Sequence, residues 1–569
     1  MLGLFLLPSC TAVSAPFAAA PEVDRGTPNV VAQAVAPGAE AELTVTITPQ
    51  PKAGSVEVRV SSRSEVPREW LLEDSKRSEI SDLVLRGARG AVKVKTSQLG
   101  ASLSISADGP LEPPVELAYS VRPKQSDEPD RTPCRFAVDA DFAHFCGEQV
   151  LALPIQPEAI ALRLELAPDV SFHKQAASSL GLDDVIVATR RVEDLRHAAY
   201  VFGNLTSAEF RGAEGNDHAA SLGYVSFDPR WIAAESASFR SSLDRFFDLR
   251  RSPEDASVGL IMLSGTHPSE PYAIVRRTRG ALISADVSAP WTPQARIRVA
   301  QLWAQRTLGG ALWIGSRAPA EELRGLWFSE GMSRAAALFV LNEQGFVSAN
   351  DLAHDVNGLL ASDALSPLHG ASHEELAIQA ASPDAATQEE ARRQLAVRGA
   401  LLGLSLGADA FKRTTHKLLE AAKNEQTDTL ALDVFFATLA ATTTAKTATT
   451  FADGLRSGTF IPEKTLLAPC HQLTKRTLAE FELGFELSKD AAGTQTVRTV
   501  KANSNAERAG LSIGDVVGAL DYRPGVPDVA VEGRFTRGAE ILKRRFLPQG
   551  RSAPGYVFQK APRAPKSCE

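Results

Sequence analysis

The hydrophobic period changes twice along the chain, and those changes limit the fold more than any other feature. From about Glu42 to Leu205 apolar and polar residues alternate, as in Leu43-Thr44-Val45-Thr46-Ile47-Thr48, Val56-Glu57-Val58-Arg59-Val60, Val92-Lys93-Val94-Lys95 and Leu103-Ser104-Ile105-Ser106. Further runs follow at Ala159–Leu166 and Asp184–Ala188. A period of two means strands with one buried and one solvated face, which predicts a β-sandwich-like domain. From about Ser238 to Phe460 the spacing is helical, at Ser238–Arg251, Ala295–Leu308, Leu323–Asn342, Glu389–Leu406, Phe411–Ala422 and Asp433–Leu439. Two strands, Val258–Leu263 and one near Tyr272–Val275, lead into it, and the Thr/Ala-rich stretch Ala440–Thr450 either extends its last helix or forms a polar loop. From about Leu473 short strands and turns return.

The expectation is an α+β multidomain chain: a segment 1–40, a β domain 41–205, a mostly helical domain 206–465 and a small domain 473–560. Hydrophobic residues at 44% and charged residues at 23% exclude a wholly disordered chain. With 61 basic and 68 acidic side chains the net charge is −7, and there is no basic block, which argues against a nucleic-acid partner. No run of about 18 apolar residues occurs after the N-terminus, so no internal membrane span is expected.

Leu2–Leu7 is apolar but too short to span a bilayer, and reads as the core of an export signal without its usual basic start. Leu7-Pro8-Ser9-Cys10 resembles a bacterial lipobox, in which Cys10 is acylated and anchors the chain to a membrane. Ala18-Ala19-Ala20 offers an ordinary cleavage site instead. The following residues to about Glu40, rich in Ala, Pro, Val and Gly, fit a tether. The location implied is the bacterial cell envelope, periplasmic or anchored to the outer membrane. Four further cysteines remain: Cys134, Cys146, Cys470 and Cys568. They allow three disulfide pairings; proximity favours Cys134 with Cys146, which leaves Cys470 to clip Cys568.

In the last domain, Leu483-Gly484-Phe485-Glu486-Leu487 enters a strand, and Asn503-Ser504-Asn505-Ala506-Glu507-Arg508-Ala509-Gly510-Leu511 leads to Ile513-Gly514-Asp515-Val516-Val517. This resembles a PDZ domain. The resemblance implies that residues 483–487 capture an extended peptide or protein C-terminus by strand addition, with Glu540–Phe546 as the helix lining the groove.

In the middle domain, Trp327-Phe328-Ser329-Glu330-Gly331 resembles the W-F-S-E-G motif of the glycyl aminopeptidase family of zinc metallopeptidases. Arg398-Gly399-Ala400-Leu401-Leu402-Gly403-Leu404 and Phe451–Pro462 are similar to two later segments of that family. The family has a β domain, a thermolysin-like domain and a PDZ domain in this order. Its chemistry needs H-E-x-x-H on the helix before the motif, with the motif's glutamate as third ligand. Glu330 matches that glutamate. The preceding helix contains Ala300-Gln301-Leu302-Trp303-Ala304 in the preferred register, so Ala300, Gln301 and Ala304 stand where the family has His, Glu and His. The alternative register is Ile297-Arg298-Val299-Ala300-Gln301. Neither holds a histidine, because none occurs between His267 and His354. Ala396 stands at the position of the family's oxyanion-supporting tyrosine. The expectation is therefore an exported or lipid-anchored protein without peptidase activity or cofactor, which binds peptides or protein tails through the PDZ groove and the vestigial cleft. The alternatives are an aminopeptidase with relocated zinc ligands, using Glu330 with His369, His373 or His354, and a scaffold in which only the PDZ domain binds.

Overall fold

The computed structural model describes residues 41–568 apart from 64–66, 68, 125–133, 156–157, 168–174, 213–214, 251–257, 265–271, 319–320, 459–463, 491–492 and 524. The export signal, Cys10 and the tether lie outside the described residues.

The alternating runs form the expected strands. A seven-stranded sheet has the order Val185–Arg191, Ala159–Leu166, Leu43–Gln50, Ser55–Ser62, Val115–Pro123, Ser78–Gly87, Gly90–Val92. Leu43, Val45 and Ile47 point into one core with Val56, Val58 and Val60, which is the buried face that the period of two demands. Two four-stranded sheets complete the domain. One of them contains Val94–Leu99, so the run Val92–Lys95 divides between two sheets rather than forming one strand. Cys134 and Cys146 are disulfide-bonded, and they pack with Ala220, Ile261 and Leu282 of the next domain.

The middle domain begins with a five-stranded sheet in the order Leu205–Gly212, Gly215–Leu222, Gly259–Ser264, Gly280–Ala285, Tyr272–Arg277. Nine helices follow or interrupt it among the described residues: α1 Pro229–Phe247, α2 Pro293–Gln305, α3 Ser333–Glu343, α4 Ala349–Leu365, α5 His373–Gln379, α6 Ala385–Ser405, α7 Gly407–Asn424, α8 Leu432–Thr442 and α9 Ala445–Ser457. The first starts nine residues before the sequence reading because Asp228 caps it by accepting from the Arg230 amide, with Pro229 in the first turn. The stretch Ala440–Thr450 neither extends α8 smoothly nor forms a loop. Thr444 accepts from the Thr447 amide and starts α9. The run read as one helix, Leu323–Asn342, is three pieces: a 3-10 turn at Glu322–Gly325, a π-helical turn at Trp327–Met332, and α3.

The C-terminal region stands on a two-stranded ribbon, His471–Phe481 with Gln549–Lys560, whose base is tied by the Cys470–Cys568 disulfide. Asn357 of α4 holds this ribbon through a reciprocal pair, donating to the Phe558 carbonyl (2.9 Å) and accepting from the Phe558 amide (2.7 Å). Phe558 is buried in the middle-domain core. Above the ribbon a five-stranded sheet runs Phe485–Lys489, Gln495–Val500, Val516–Asp521, Val531–Arg537, Glu540–Phe546. The segment expected to be the groove helix, Glu540–Phe546, is thus a strand. It pairs with Val531–Arg537 through a two-residue turn in which Gly538 takes φ +61°. Leu542 and Phe546 fit a helix face by spacing, but Ile541 is exposed and Leu542, Arg544 and Phe546 share the inward side, which is a period of two.

Candidate functional site

Glu330 sits in the π-helical turn, buried within the middle domain. Turns of this kind widen the helix by one residue and often mark functional positions. The turn is held from behind by α6, backbone against backbone. A Cβ on Gly331 would stand 2.5 Å from the Cα of Gly399, and one on Gly399 would overlap the Trp327 carbonyl oxygen. The glycines of the W-F-S-E-G and R-G segments are therefore required by one close helix crossing, whatever else the segments do. Ser333 adds a second tie by donating to the Leu308 carbonyl (3.1 Å).

From the front, α2 reaches the same turn. The Gln301 amide donates to the Glu330 carbonyl (3.2 Å) and its oxygen accepts from Arg334 (3.3 Å). Arg334 in turn forms an ion pair with buried Asp355 of α4 through two nitrogens. Burial pushes the Glu330 carboxyl up to about 7, against the opposing pull of Arg298 and Arg392, and no hydrogen bond is among the causes. Arg298 lies one turn before Gln301 on α2, and it belongs only to the frame Ile297–Gln301. Ala300 and Ala304 are fully buried in the core, and Trp303 faces away, donating to Ser236 of α1 (2.8 Å). Ala396 is buried on α6, where its carbonyl backs onto Gly331.

The three candidate replacement histidines do not assemble a ligand set with Glu330. His354 is exposed on α4. His369 pairs with Asp363 (3.3 Å), which raises its pKa. His373 bonds the Arg324 carbonyl (2.8 Å) and meets Trp327 edge to face. Among the described residues, only two groups of three His, Cys, Asp or Glu bring their ligand atoms within 4.8 Å of one another, and neither includes Glu330. One is the Cys134–Cys146 disulfide with Glu148; the other is Glu73, Glu193 and His197, where Arg196 already pairs with both carboxylates. The zinc that the sequence resemblance implies does not fit at Glu330. The Gln301 amide lies against the Glu330 carbonyl, and the positive charges of Arg298 and Arg392, which act on the carboxyl, oppose a dication. Sequence reasoning missed Arg334, Asp355 and Arg392. An arginine four residues after Glu330 on the same helix was the available signal.

In the C-terminal sheet, Phe485, Glu486 and Leu487 form the start of an edge strand that pairs only with Gln495–Val500 among the described residues. Gly484 precedes it with φ +76°, and Ser504 would stand 2.6 Å from a Cβ there. Leu483 and Phe485 pack into the small core around Val497, Ala506 and Phe535. Asp515 of the Gly514-Asp515 turn is buried and clamped by Arg537 with two bonds of 2.7 and 2.9 Å, a partner invisible in the motif.

This arrangement, a β domain, a sheet-and-helix domain and a C-terminal strand module, is shared at the level of fold with a solved structure. The chain is similar to the structure of an aminopeptidase N family protein from Idiomarina loihiensis, with a TM-score of 0.62 and 15% identity, covering 91% of this chain and 98% of that one. A zinc metallopeptidase of the M1 family from Deinococcus radiodurans is also similar, at TM-score 0.45 and 15% identity over 74% of this chain and 95% of that one. No family model and no curated protein matches the chain.

Proposed function

We propose that the chain is a non-catalytic relative of glycyl aminopeptidase-type metallopeptidases, exported to the cell envelope, that binds extended peptides or protein tails. One observation carries the reading. The side chains around Glu330 form a polar link, Gln301 to Arg334 to Asp355, where a peptidase needs two imidazoles and a general base. With a lone carboxylate there is no three-ligand site, no activated water and no group at Ala396 to stabilise an oxyanion.

Peptide binding is assigned to the edge Phe485–Lys489. Its outer backbone groups suit strand addition, and the Leu483-Gly484-Phe485 turn suits a terminal carboxylate. The groove has lost its helical wall, because Glu540–Phe546 is a strand, so affinity would rest on main-chain bonds more than on side-chain pockets. Export agrees with two disulfides, which persist in oxidising compartments; acylation of Cys10 would add the anchor.

The test is an aminopeptidase assay of the full chain with a panel of aminoacyl amides, with added zinc and with chelator, alongside calorimetric titration of short peptides bearing free C-termini. The reading expects no chelator-sensitive turnover, and peptide binding that is lost when Leu487→Pro removes an amide from the edge. Zinc-dependent turnover abolished by Glu330→Ala would overturn it.

A further inference from the structure

The seven-stranded sheet ends in the strand Val185–Arg191, which among the described residues pairs only with Ala159–Leu166. The Leu166 amide donates to the Asp184 carbonyl (2.7 Å). By antiparallel alternation, Asp184, Ile186 and Ala188 turn their backbone groups toward that neighbour, and Val185, Val187 and Thr189 turn theirs outward. Val185 and Val187 also share one face of the sheet and are each 43% exposed, whereas Ile186 packs against the core from the other face. Between Val185 and Thr189 the edge has no proline and no charged residue, the usual devices that keep an open edge from pairing, and its register with Ala159–Leu166 runs without a bulge.

We propose that this edge pairs antiparallel with the same strand of a second copy of the chain, about a twofold axis through Val187. In that register Val187 faces Val187, Val185 faces Thr189, and Asp183 faces Arg191 at both ends of the seam. The sequence Asp183-Asp184-Val185-Ile186-Val187-Ala188-Thr189-Arg190-Arg191 is self-complementary in charge, acidic at one end and basic at the other. Moving the axis by two residues destroys the match. Centred on Val185, Asp183 meets Val187 and Arg191 meets Ser179; centred on Thr189, Arg191 meets Val187 and Asp183 meets Leu195. The Val187 register is also the one in which outward amides and carbonyls of Val185, Val187 and Thr189 meet each other directly. The occupant is a second copy because this strand supplies both halves of the charge pattern.

The experiment is sedimentation velocity of the full chain over a range of concentrations, with a concentration-dependent dimer expected. Val187→Lys places two like charges on the axis and should raise the dimer dissociation constant about tenfold or more, with circular dichroism unchanged. Asp183→Arg and Arg191→Asp should each weaken the dimer, and the two together should restore it. In a Cys10→Ser background, Val187→Cys should form a disulfide-linked dimer on mild oxidation, since directly paired residues stand about 5.5 Å apart at Cα, and Val185→Cys should not. A chain that stays monomeric at every concentration, a dimer indifferent to Val187→Lys, or V187C that fails to cross-link would overturn the proposal.

Discussion

On the proposed reading, the middle domain and the C-terminal module differ from the families they resemble in opposite ways. Around Glu330 the helices that the resemblance implies are present, and Arg298 and Gln301 on α2 and Ala396 on α6 stand where it implies reactive side chains. In the C-terminal module a whole element differs from what the resemblance implies, a strand at Glu540–Phe546 where a groove helix was expected. The difference follows from what holds each region. The π-turn and α6 touch through Gly331 and Gly399 with no side chain between them, so neither can move without overlap. Side chains pointing away from that crossing are free to change. At Glu540–Phe546 a two-residue turn is enough to make a hairpin.

The sharpest way to break this comparison is to add atoms at the two glycines. Gly399→Val should cost about 4 kcal/mol or more, or prevent folding, because the obstructing atom is backbone. Gly484→Val, strained by its φ of +76° and facing a movable Ser504 side chain, should cost about 2 kcal/mol. All six tryptophans precede residue 473, so their emission reports the first two domains, while far-ultraviolet dichroism reports the whole. Equal losses at the two sites would end the distinction. Removing the Cys470–Cys568 disulfide, which closes a separation of 98 residues, should destabilise the C-terminal module by about 3 kcal/mol and leave the tryptophan transition nearly in place. A tryptophan transition that moves as far would show that the two regions unfold as one.

The pH dependence probes the middle domain alone. The Glu330 carboxyl is raised from 4.5 to about 7 in the folded chain. Between those values the folded state holds a proton that the unfolded state has released. The contribution of Glu330 to stability is therefore greatest below 4.5 and falls as pH rises to about 7, by about 3 kcal/mol over the full shift. Glu330→Gln should flatten that slope in denaturant midpoints taken across the window; parallel curves for the two proteins would contradict the burial of the carboxyl. The smallest effect is expected for Gln301→Leu, which removes bonds to the Glu330 carbonyl and Arg334 and should cost about 1 to 2 kcal/mol.

The large divisions of the fold were legible in the sequence because burial imposes a period, and Leu43–Thr48 or Val56–Val60 could hardly be anything but half-buried strands. The absence of a histidine on α2 was equally legible. The π-turn was not, since an extra residue in a helical turn leaves no mark on the spacing of Leu323–Asn342. Nor was the helix register at Glu330, because both frames place apolar residues inward and Gln301, which meets the Glu330 carbonyl, belongs to both. The strand at Glu540–Phe546 was missed because the groove helix was carried over from the PDZ resemblance, although Leu542, Arg544 and Phe546 fall on one side with a period of two.

The central claim is that Glu330 is not part of a metal site, and equilibrium dialysis of the purified full chain against zinc, read by elemental analysis, tests it most directly. The account predicts no stoichiometric zinc in the wild type at micromolar free metal, and no difference between wild type and Glu330→Ala. One equivalent of tightly held zinc that disappears in Glu330→Ala would contradict it.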